Sequence, residues 1–592
     1  EGLVISSKTG KNSSDNSGNI PAGDYYITDV TVSNNTITTS GDGIILRNTY
    51  KAAVSGNTIT PSFTSADNAD RHYYGIQLQN GTQADSVTGN KINKDFYYGI
   101  LVNLDSSAAD ISENTIGAVT NYGISIENTS ADSISDNTIS SPGINGIMIF
   151  SGAEAGTISG NKITDAAQYG IYVTQATAGD ITGNEITGSA SNSIYVYKSA
   201  TVKNISDNTI TDPQKYGIDV DNATAEDITG NTISGSVKNA VFVYNGGKAD
   251  NISKNTISSS GDYGINVNTN ATVTKNIDNN TITDTVNAAI RVSNTSSADT
   301  ISGNTIQNTG WASIVVNDSS KVSAISNNTI SVPKNNYGVY IYNTSTVKKV
   351  SGNDITTDKS SDVYVTSDST VEEFGWQKSG GNWYYLDKTG QKVTGWKEIS
   401  KKWYFFDSDG VMQTGWIKDS GSWYYCKSSG AMVNGWQNIN SKWYYFSGGV
   451  MVANTTRKID GSTYAFDSTG AMLTGWQKIA STDAKGSTSY SWSYFSSNGV
   501  RKDSGWLSLN STWFYFKDGA VQTGRITVDG DTYYLTLQGA YSGWLQVGSD
   551  WYHITKGYRD QSKWMKDSKG WCWLQEDGSM LTNGWAKDSK GW

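Results

Sequence analysis

The clearest pattern in the sequence is a set of short apolar segments that recurs through residues 28–366. The segments return every 23 to 25 residues along most of this range. Each repeat has one Ile after an Asn-x pair, a second Ile or Val that usually follows Tyr-Gly or Asn-Gly, and a third between these two. Clusters of Gly, Asn, Asp and Ser separate the segments. This pattern predicts three short β-strands per repeat rather than helices.

A single repeat cannot bury its own Ile side chains, so the repeats must stack on one another. The pattern therefore predicts a right-handed parallel β-helix of about 14 coils over residues 1–368, with coils spaced about 4.8 Å apart. The longer spacing after Asn57 predicts a loop insertion near residues 61–73. We predict a structural role for the repeated Asn, because Asn tolerates left-handed turns and stacked Asn side chains hydrogen-bond along a ladder.

The Ser-Gly-Asn-Thr-Ile and Tyr-Gly-Ile-x-Val segments resemble the repeats of secreted pectate-lyase-like and NosD-like proteins. The resemblance covers about residues 28–366 and implies the parallel β-helix fold. It specifies the activity poorly, because one fold carries many functions.

A different, aromatic pattern begins after residue 374. A Gly-Trp pair is followed seven residues later by a Trp-aromatic-aromatic segment, and this unit recurs with a strict 20-residue step from Trp376 to Trp436. Each unit reads as a β-hairpin that is too small to fold alone. The chain has 20 Trp, and Trp311 is the one Trp before residue 375. We therefore predict a second all-β domain, a hairpin solenoid over residues 375–592 that is truncated at its C-terminus.

Composition excludes several classes of function. The net charge is −10 and no block of Lys and Arg stands out, so nucleic acid and anionic lipid are not expected partners. The chain has two Cys and two His, which are too few for a disulfide framework and make a zinc site or a Ser-His-Asp triad unexpected. No apolar run approaches the length of a membrane span. We expect no cofactor and no metal.

The second half resembles the choline-binding and glucan-binding cell-wall repeats of Gram-positive surface proteins, on the spacing Gly-Trp-x6-Trp-Tyr-Tyr. The resemblance implies aromatic boxes that bind a quaternary ammonium by cation–π attraction. In the family, each box takes the Gly-Trp tryptophan and the strand Trp of one unit, and the second aromatic after the strand Trp of the next. On this sequence the boxes are Trp376, Trp383 and Phe405; Trp396, Trp403 and Tyr425; Trp416, Trp423 and Tyr445; Trp476, Trp492 and Tyr515; Trp506, Trp513 and Tyr534; and Trp544, Trp551 and Trp573.

Some units depart from the family pattern. Ala465 would close the unit of Trp436 and Trp443, so we expect no working box there. Two alternatives to choline stay open for the whole array, namely binding of neutral glycans and purely structural packing of the aromatic side chains.

The β-helix offers a second candidate site on one outward strand face. Alternate residues of the Tyr-Gly-Ile-x-Val strand point outward. They place aromatic side chains beside two acids over consecutive coils, as a possible glycan strip: Tyr172, Tyr195, Tyr197, Phe242 and Tyr244, with Asp219 and Asp221. The two acids are candidate catalytic residues for glycoside hydrolysis, because paired carboxylates serve as acid and base in that reaction. The plain alternative is an ordinary mixed polar and aromatic surface.

Together these patterns predict a secreted, extracellular protein of a Gram-positive cell surface. Its C-terminal repeats would bind choline-substituted teichoic acid or a related wall polymer, and its β-helix would serve in adhesion or polysaccharide binding. One alternative is a wall-retained polysaccharide hydrolase or lyase, although we expect no turnover. Another is that the C-terminal repeats bind glucan or host carbohydrate. Because the chain begins at Glu1 and ends within a repeat, we expect it to be a processed or truncated piece.

Overall fold

The computed structural model describes residues 2–6, 27–68, 70–332, 336–356, 362–387, 390–482 and 485–586. Their fold is nearly all β, with a parallel β-helix of about 14 turns followed by antiparallel hairpins. This confirms the fold class predicted from the sequence. By contacts, the chain divides into two compact units, one of residues 1–395 with 406–412 and one of residues 396–405 with 413–592.

Each coil of the β-helix contributes one strand to each of three long sheets, here named A, B and C. Sheet A comprises Leu3–Ser6, Ile44–Arg47, Tyr74–Gln79, Tyr98–Val102, Tyr122–Glu127, Asn145–Phe150, Tyr169–Thr174, Ile194–Tyr197, Ile218–Asp221, Val241–Tyr244, Ile265–Asn268, Ala288–Ser293, Ala312–Val316, Tyr337–Ile341 and Val363–Val365.

Sheet B comprises Ile27–Thr28, Thr31–Ser33, Thr49–Ser55, Gln83–Thr88, Ser107–Ser112, Ser130–Ser135, Glu154–Ser159, Thr177–Thr182, Thr201–Ser206, Thr224–Thr229, Lys248–Ser253, Thr272–Asp278, Ser297–Ser302, Lys321–Ser326, Thr346–Ser351 and Thr370–Phe374. Sheet C comprises Thr36–Thr39, Thr58–Pro61, Lys91–Ile92, Thr115–Ile116, Thr138–Ser140, Lys162–Thr164, Glu185–Thr187, Thr209–Thr211, Thr232–Ser234, Thr256–Ser258, Thr281–Thr285, Thr305–Thr309, Thr329–Ser331, Asp354–Thr356, Trp376–Ser379 and Asn382–Tyr385.

The register of the sheets aligns the predicted apolar columns. In sheet A, Ile124 pairs with Ile147, which pairs with Ile171, and all three are fully buried. The Gly before each of these residues is required by close packing. A Cβ on Gly123 would lie 2.6 Å from the carbonyl oxygen of Gly146 in the next coil. The Gly of the Tyr-Gly-Ile segment is therefore needed because the coils lie too close together for a Cβ at this position.

The repeated Asn forms a buried ladder, as predicted. The Asn57 side chain donates from Nδ2 to Asn90 Oδ1 at 2.9 Å and to the carbonyl of Val32 at 2.8 Å. The same Asn90 oxygen accepts the backbone N–H of Asn57 at 3.0 Å. This pattern recurs from coil to coil as far as Asn353, whose Nδ2 lies 3.4 Å from Gln377 Oε1. The ladder satisfies buried polar groups at the turn between sheets B and C.

The predicted insertion near residues 61–73 contains the short helix Ser65–Asn68. Phe63 in this segment packs edge-on against Phe96, with ring centroids 5.6 Å apart. The buried Asn68 accepts the backbone N–H of Tyr73 through Oδ1 at 2.6 Å. The segment is therefore fixed on the coil by packing and hydrogen bonds.

The first C-terminal hairpin continues the β-helix. Its strands Trp376–Ser379 and Asn382–Tyr385 belong to sheet C. Phe374 and Leu386 lie in the same buried core as the Ile columns. Lys378 also forms a 2.7 Å ion pair with Asp354 of the preceding coil. This hairpin covers the apolar end of the last coil.

The remaining repeats form antiparallel hairpins. Their strands are Gly395–Ile399 with Lys402–Phe406; Gly415–Asp419 with Ser422–Cys426; Gly435–Ile439 with Lys442–Ser447 and Val450–Met451; Thr455–Ile459 with Ser462–Phe466; Gly475–Thr482 with Thr488–Phe495; Gly505–Leu509 with Thr512–Lys517 and Ala520–Val521; Gly524–Val528 with Asp531–Thr536 and Gly539–Ala540; Gly543–Val547 with Asp550–Thr555 and Tyr558–Arg559; and Lys563–Asp567 with Gly570–Leu574.

Candidate functional site: the aromatic boxes

The register of each hairpin decides which aromatic side chains share a face. In the hairpin of Trp416, this residue pairs with Tyr425, and Lys418 pairs with Trp423. Side chains alternate between the two faces of a strand. Trp416, Trp423 and Tyr425 therefore lie on one face, and Tyr424 points to the other.

Three aromatic rings of one hairpin meet on this shared face. The Trp416 ring lies 6.2 Å from Trp423, nearly perpendicular to it at 88°, and 5.2 Å from Tyr425. The same arrangement recurs around Trp436, which lies 6.3 Å from Trp443 and 5.2 Å from Tyr445. Perpendicular indoles leave the face of one ring open beside the edge of the other.

The next hairpin along the chain places an aromatic ring against each Gly-Trp tryptophan. This ring directly follows the strand Trp of that hairpin or, for Tyr464 and Tyr533, the Thr at the same position. Tyr444 lies 5.0 Å from Trp416. The corresponding contacts are Trp396 with Tyr424 at 4.7 Å, Trp436 with Tyr464 at 4.7 Å, Trp476 with Phe514 at 4.9 Å and Trp506 with Tyr533 at 4.7 Å. A box therefore has three rings from its own hairpin and a fourth from the next.

The closing residues predicted from the sequence make other ring contacts, and their role as walls stays a prediction. The predicted closing residues contact the Gly-Trp tryptophan of their own hairpin instead: Phe405 lies 5.0 Å from Trp396, Tyr425 5.2 Å from Trp416, Tyr445 5.2 Å from Trp436 and Tyr515 5.1 Å from Trp506. Tyr534 lies opposite Arg525 in its hairpin. The physical reason is strand alternation, because the second aromatic shares a face with its own strand Trp and so points away from the preceding hairpin.

The unit of Trp436 and Trp443 was expected to lack a box because of Ala465. In the structure Ala465 lies opposite Thr456 within its own hairpin, and the neighbouring Tyr464 supplies the closing ring. Tyr464 thus contacts Trp436 as Tyr444 contacts Trp416, and the expected lack of a working box stays a prediction. This unit has the same four-ring arrangement as its neighbours.

The first box of the array repeats the central geometry, whereas the last one differs. Trp376 lies 6.3 Å from Trp383 and 5.4 Å from Tyr385, close to the distances around Trp416. At the other end, a pocket of about 510 Å³ is lined by Trp544, Trp551, Ser568, Lys569, Gly570, Trp571, Cys572 and Met580. Cys572 has the position of the closing aromatic there. The predicted third wall, Trp573, lies 5.4 Å from Trp564 instead.

The strand Trp is an accessible wall of the box. Trp403, Trp423, Trp443, Trp492 and Trp513 are 38–48% exposed, although an indole is largely apolar. Exposed aromatic surface at a repeated position favours ligand binding over packing alone. The faces of indole and phenol rings attract cations, and a box of such faces suits a quaternary ammonium, which has no hydrogen bond to give. The structure therefore brings together what a choline headgroup needs.

The predicted glycan strip lies on the outer face of sheet A. Tyr172 and Tyr195 stack with ring centroids 5.1 Å apart and planes 8° apart, and Tyr197 stacks on Tyr195 at 5.3 Å. Farther along, Phe242 and Tyr244 stack at 4.9 Å. The register places Asp219 and Asp221 between these two aromatic groups. All seven predicted residues therefore lie on the outer face of sheet A, although Asp219 and Phe242 are buried there.

The two acids of this face have different surroundings. Asp219 is 4% exposed, its Oδ2 accepts Asn192 Nδ2 at 2.9 Å, and its Oδ1 has no hydrogen-bond partner in the described part of the chain. Burial, and then the charge of Asp221, raise the pKa of Asp219 to about 8, against the opposing effects of Lys215 and Asn192. Asp221 accepts hydrogen bonds from Tyr195 Oη and Asn245 Nδ2, both at 3.1 Å.

A protonated acid beside a second carboxyl group resembles the charge arrangement of glycoside hydrolases. However, a carboxyl group that is 4% exposed has little surface through which to reach a glycosidic oxygen. The surroundings of Asp219 and Asp221 favour a binding surface. Their catalytic role stays a prediction.

Comparison with known proteins links both halves to families. The profile of the family described as periplasmic copper-binding protein (NosD) matches residues 62–251, 118–295, 214–331 and 243–374, which together span more than half of the chain. The chain belongs to the NosD family. The profile of the choline-binding repeat matches residues 393–434, and that of a cell wall binding repeat matches residues 375–392, 434–448 and 504–519. Both resemblances seen in the sequence are confirmed.

Solved structures with similar parts include choline-binding proteins of Streptococcus pneumoniae. CbpJ is 25% identical, with 38% of this chain and 94% of that chain covered and a TM-score of 0.28. Choline binding protein F with a peptidoglycan analogue is 24% identical, with 35% and 92% covered and a TM-score of 0.24. The modular autolysin LytC with a peptidoglycan ligand is 25% identical, with 34% and 46% covered and a TM-score of 0.24. These TM-scores are too low to carry function over to this chain. A comparison with curated proteins finds no match.

The residues of the β-helix do not fit the copper that the NosD description names. Copper is bound in proteins by His, Cys and Met side chains. Residues 1–374 contain one His, one Met and no Cys. The His72 ring packs on Tyr97 with centroids 4.0 Å apart, and Met148 Sδ accepts Asn145 Nδ2 at 3.5 Å. Within the described ranges, no three His, Cys, Asp or Glu side chains are grouped so that they could hold a metal ion.

Sequence reasoning missed the closing rings Tyr424, Tyr444, Tyr464, Phe514 and Tyr533. The sequence does contain this information. Each of these residues directly follows the position that Trp403 has in its hairpin, so strand alternation points its side chain to the opposite face. Cys426 is buried, and burial raises the pKa of its thiol to about 11, which disfavours the reactive thiolate.

Proposed function

We propose that the protein attaches non-covalently to choline-bearing polymers of a Gram-positive cell wall, such as choline-substituted teichoic acid. The observation that carries this proposal is the repeated four-ring box, in which an exposed strand Trp stands nearly perpendicular to a Gly-Trp tryptophan. The match to choline-binding repeats at residues 393–434 supports the same ligand class. Proteins with such repeats are surface or wall associated, which supports an extracellular location.

In each box the choline headgroup would lie against the faces of the two Trp rings, with the aromatic ring of the next hairpin as the closing wall. The strand Trp would be a wall that the ligand covers on entry, because it is exposed. Several weak boxes on one chain would hold a polymer with many choline groups far more tightly than one box holds free choline. No helix in the described ranges has the length and apolar character of a membrane span.

Choline elution tests the attachment. Millimolar choline should release the protein from a choline or diethylaminoethyl matrix. Replacing both Trp396 and Trp416 by Ala should weaken retention, because two neighbouring boxes lose a wall. Trp311→Ala is the matched control, since Trp311 packs against Tyr340 in the β-helix, outside the boxes. Retention that choline leaves unchanged but a glucan abolishes would show that the repeats bind carbohydrate instead.

A second candidate function is glycan binding by the outer face of sheet A. The specific observation is the stack of Tyr172, Tyr195 and Tyr197 on this face. Aromatic faces stack on sugar rings. This candidate concerns adhesion and leaves wall attachment to the boxes.

A glycan panel on the full chain tests this candidate. Tyr195→Ala and Tyr244→Ala should weaken binding to a glycan that the wild type retains. Asp219→Asn should leave binding nearly unchanged, and no reducing ends or unsaturated sugars should appear. Release of sugars that depends on Asp219 would instead establish the hydrolase or lyase function.

A further inference from the structure

One unit of the C-terminal array has neither of the two box tryptophans. In the hairpin of Gly524–Val528 with Asp531–Thr536, Arg525 has the position of the Gly-Trp tryptophan and Thr532 that of the strand Trp. A cation thus stands where the boxes have a ring that attracts cations. This unit therefore does not offer a quaternary ammonium the surroundings that the boxes offer.

The same unit also meets its neighbour differently. Its hairpin and the next one, Gly543–Val547 with Asp550–Thr555, belong to a single six-stranded sheet that the short strand Tyr558–Arg559 joins. Tyr533 pairs with Tyr558 in this sheet, and their hydroxyl oxygens lie 2.6 Å apart. The hairpins between residues 395 and 521 instead form separate sheets of two or three strands. The joined pair therefore has a surface that the central units do not have.

A pocket of about 300 Å³ lies on this joined pair of hairpins. Its walls are mainly aliphatic side chains and phenol rings, namely Tyr534, Leu535, Tyr541, Leu545 and Val547. Of the residues that line the pocket, all within the described ranges, Arg525 is the one with a charged side chain. The pocket thus combines an apolar wall with a single guanidinium.

The guanidinium of Arg525 has no ion-pair or hydrogen-bond partner in the part of the chain that the structure describes. Other arginines of the array do have partners. Arg501 Nε donates to Asp503 at 2.6 Å, and Arg457 donates to Ser447 Oγ at 3.0 Å. A guanidinium presents its donors as a planar fork that matches a carboxylate. The fork of Arg525 is therefore available to a ligand.

We propose that this pocket binds an aliphatic carboxylate, with the carboxylate on Arg525 and the apolar body against Leu535 and Leu545. Charge complementarity selects the head group, because Arg–carboxylate pairs are charge-assisted and frequently bidentate. Burial of apolar surface favours the body. A volume of about 300 Å³ is at the lower end for ligand pockets and suits a short body. Two sources supply this chemistry, a free short-chain fatty acid and the C-terminus of a peptide that ends in small apolar residues.

Titration of the full chain with matched acid and amide probes tests the pocket. Saturating choline is present throughout, so that the aromatic boxes are occupied. Isothermal titration compares hexanoate with hexanamide, which has the same apolar body and no charge. We expect hexanoate to bind about two- to fivefold more tightly, the scale of an exposed ion pair, and the preference to shrink as salt is added.

A second pair of probes distinguishes the two sources. N-acetyl-Ala-Ala and its C-terminal amide are titrated under the same conditions. Binding of the peptide acid more tightly than hexanoate identifies a peptide C-terminus as the source of the carboxylate. The reverse order identifies a fatty acid.

Substitutions in the pocket decide the role of the guanidinium. Arg525→Gln should abolish the preference for acid over amide and change hexanamide affinity by less than about twofold. Arg525→Lys keeps the charge but loses the fork, so it should retain part of the preference. Val547→Asp should weaken binding of hexanoate more than that of hexanamide, because it places a like charge at a wall residue that is 42% exposed. Circular dichroism checks that each variant is folded.

Arg457→Gln is the matched control, since Arg457 lies in the other unit without box tryptophans and outside this pocket. It should leave the affinities of all probes unchanged. Equal binding of acid and amide, a preference that survives Arg525→Gln, or the absence of binding by any probe overturns the inference. Hexanoate binding that disappears on addition of choline would place the probe in the aromatic boxes and would also overturn it.

These outcomes are independent of the proposed wall attachment. Failure of choline to elute the protein overturns choline binding, while the comparison of acid with amide stands. Failure of the acid probes overturns the carboxylate site and leaves choline elution as it was.

Discussion

Asp219 offers a sharp test of the β-helix register through the pH dependence of stability. Its pKa is raised from 3.8 to about 8, because burial and the neighbouring Asp221 disfavour the charged form. The folded state therefore binds a proton more tightly than the unfolded state does. Stability should fall as the pH rises from about 4, and the loss should be complete above about 8.

The size of the effect follows from the shift. Each pKa unit corresponds to about 1.4 kcal/mol, so at pH 7 Asp219 destabilises the folded state by up to about 4 kcal/mol relative to pH 4. Asp219→Asn removes the titration and can keep the hydrogen bond from Asn192 through its amide oxygen. The variant should gain stability over the wild type as the pH rises from 4 to 8.

Hydrogen exchange of peptides within residues 194–244 measures this locally, because each coil contacts its neighbours only. Protection in the full chain, corrected for the intrinsic effect of pH on exchange, should fall with pH in the wild type and stay level in Asp219→Asn. Asp227→Asn serves as the matched control, because this half-buried acid lies in sheet B and does not contribute to the pKa shift of Asp219. Equal pH dependence in the wild type and in Asp219→Asn would refute the assigned burial of Asp219.

Three further perturbations test the core, the boxes and the end of the β-helix. Ile218→Asp places a charge where the side chain is fully buried, so it should cost several kcal/mol and lower the melting temperature measured by circular dichroism. Tyr464→Ala should lower the number of choline sites measured by calorimetry by one, whereas Ala465→Tyr should leave it unchanged. The reverse result would support the sequence prediction, in which the second aromatic of the next hairpin closes the box. A chain ending at residue 374 should melt lower and aggregate more in light scattering than one ending at residue 412, because the covering hairpin is lost.

The sequence by itself determined the two repeat architectures. Ile columns at a fixed spacing, such as Ile124, Ile147 and Ile171, leave no other way to bury their side chains than stacking of coils. The Gly-Trp spacing likewise determined the hairpins and identified both Trp walls of each box. These features are local and repeated, so each repeat supplies independent evidence for the same structure.

Only the tertiary structure decided how neighbouring repeats meet. The partner of Trp416 in the next hairpin is Tyr444 rather than Tyr445, and this depends on which face of one hairpin packs on the next. The same holds for the first hairpin, whose sequence matches the wall-binding repeats while its strands complete sheet C. The burial of Asp219 also depends on side chains from adjacent coils. Contacts between repeats depend on packing across long sequence separations, which the pattern within one repeat does not contain.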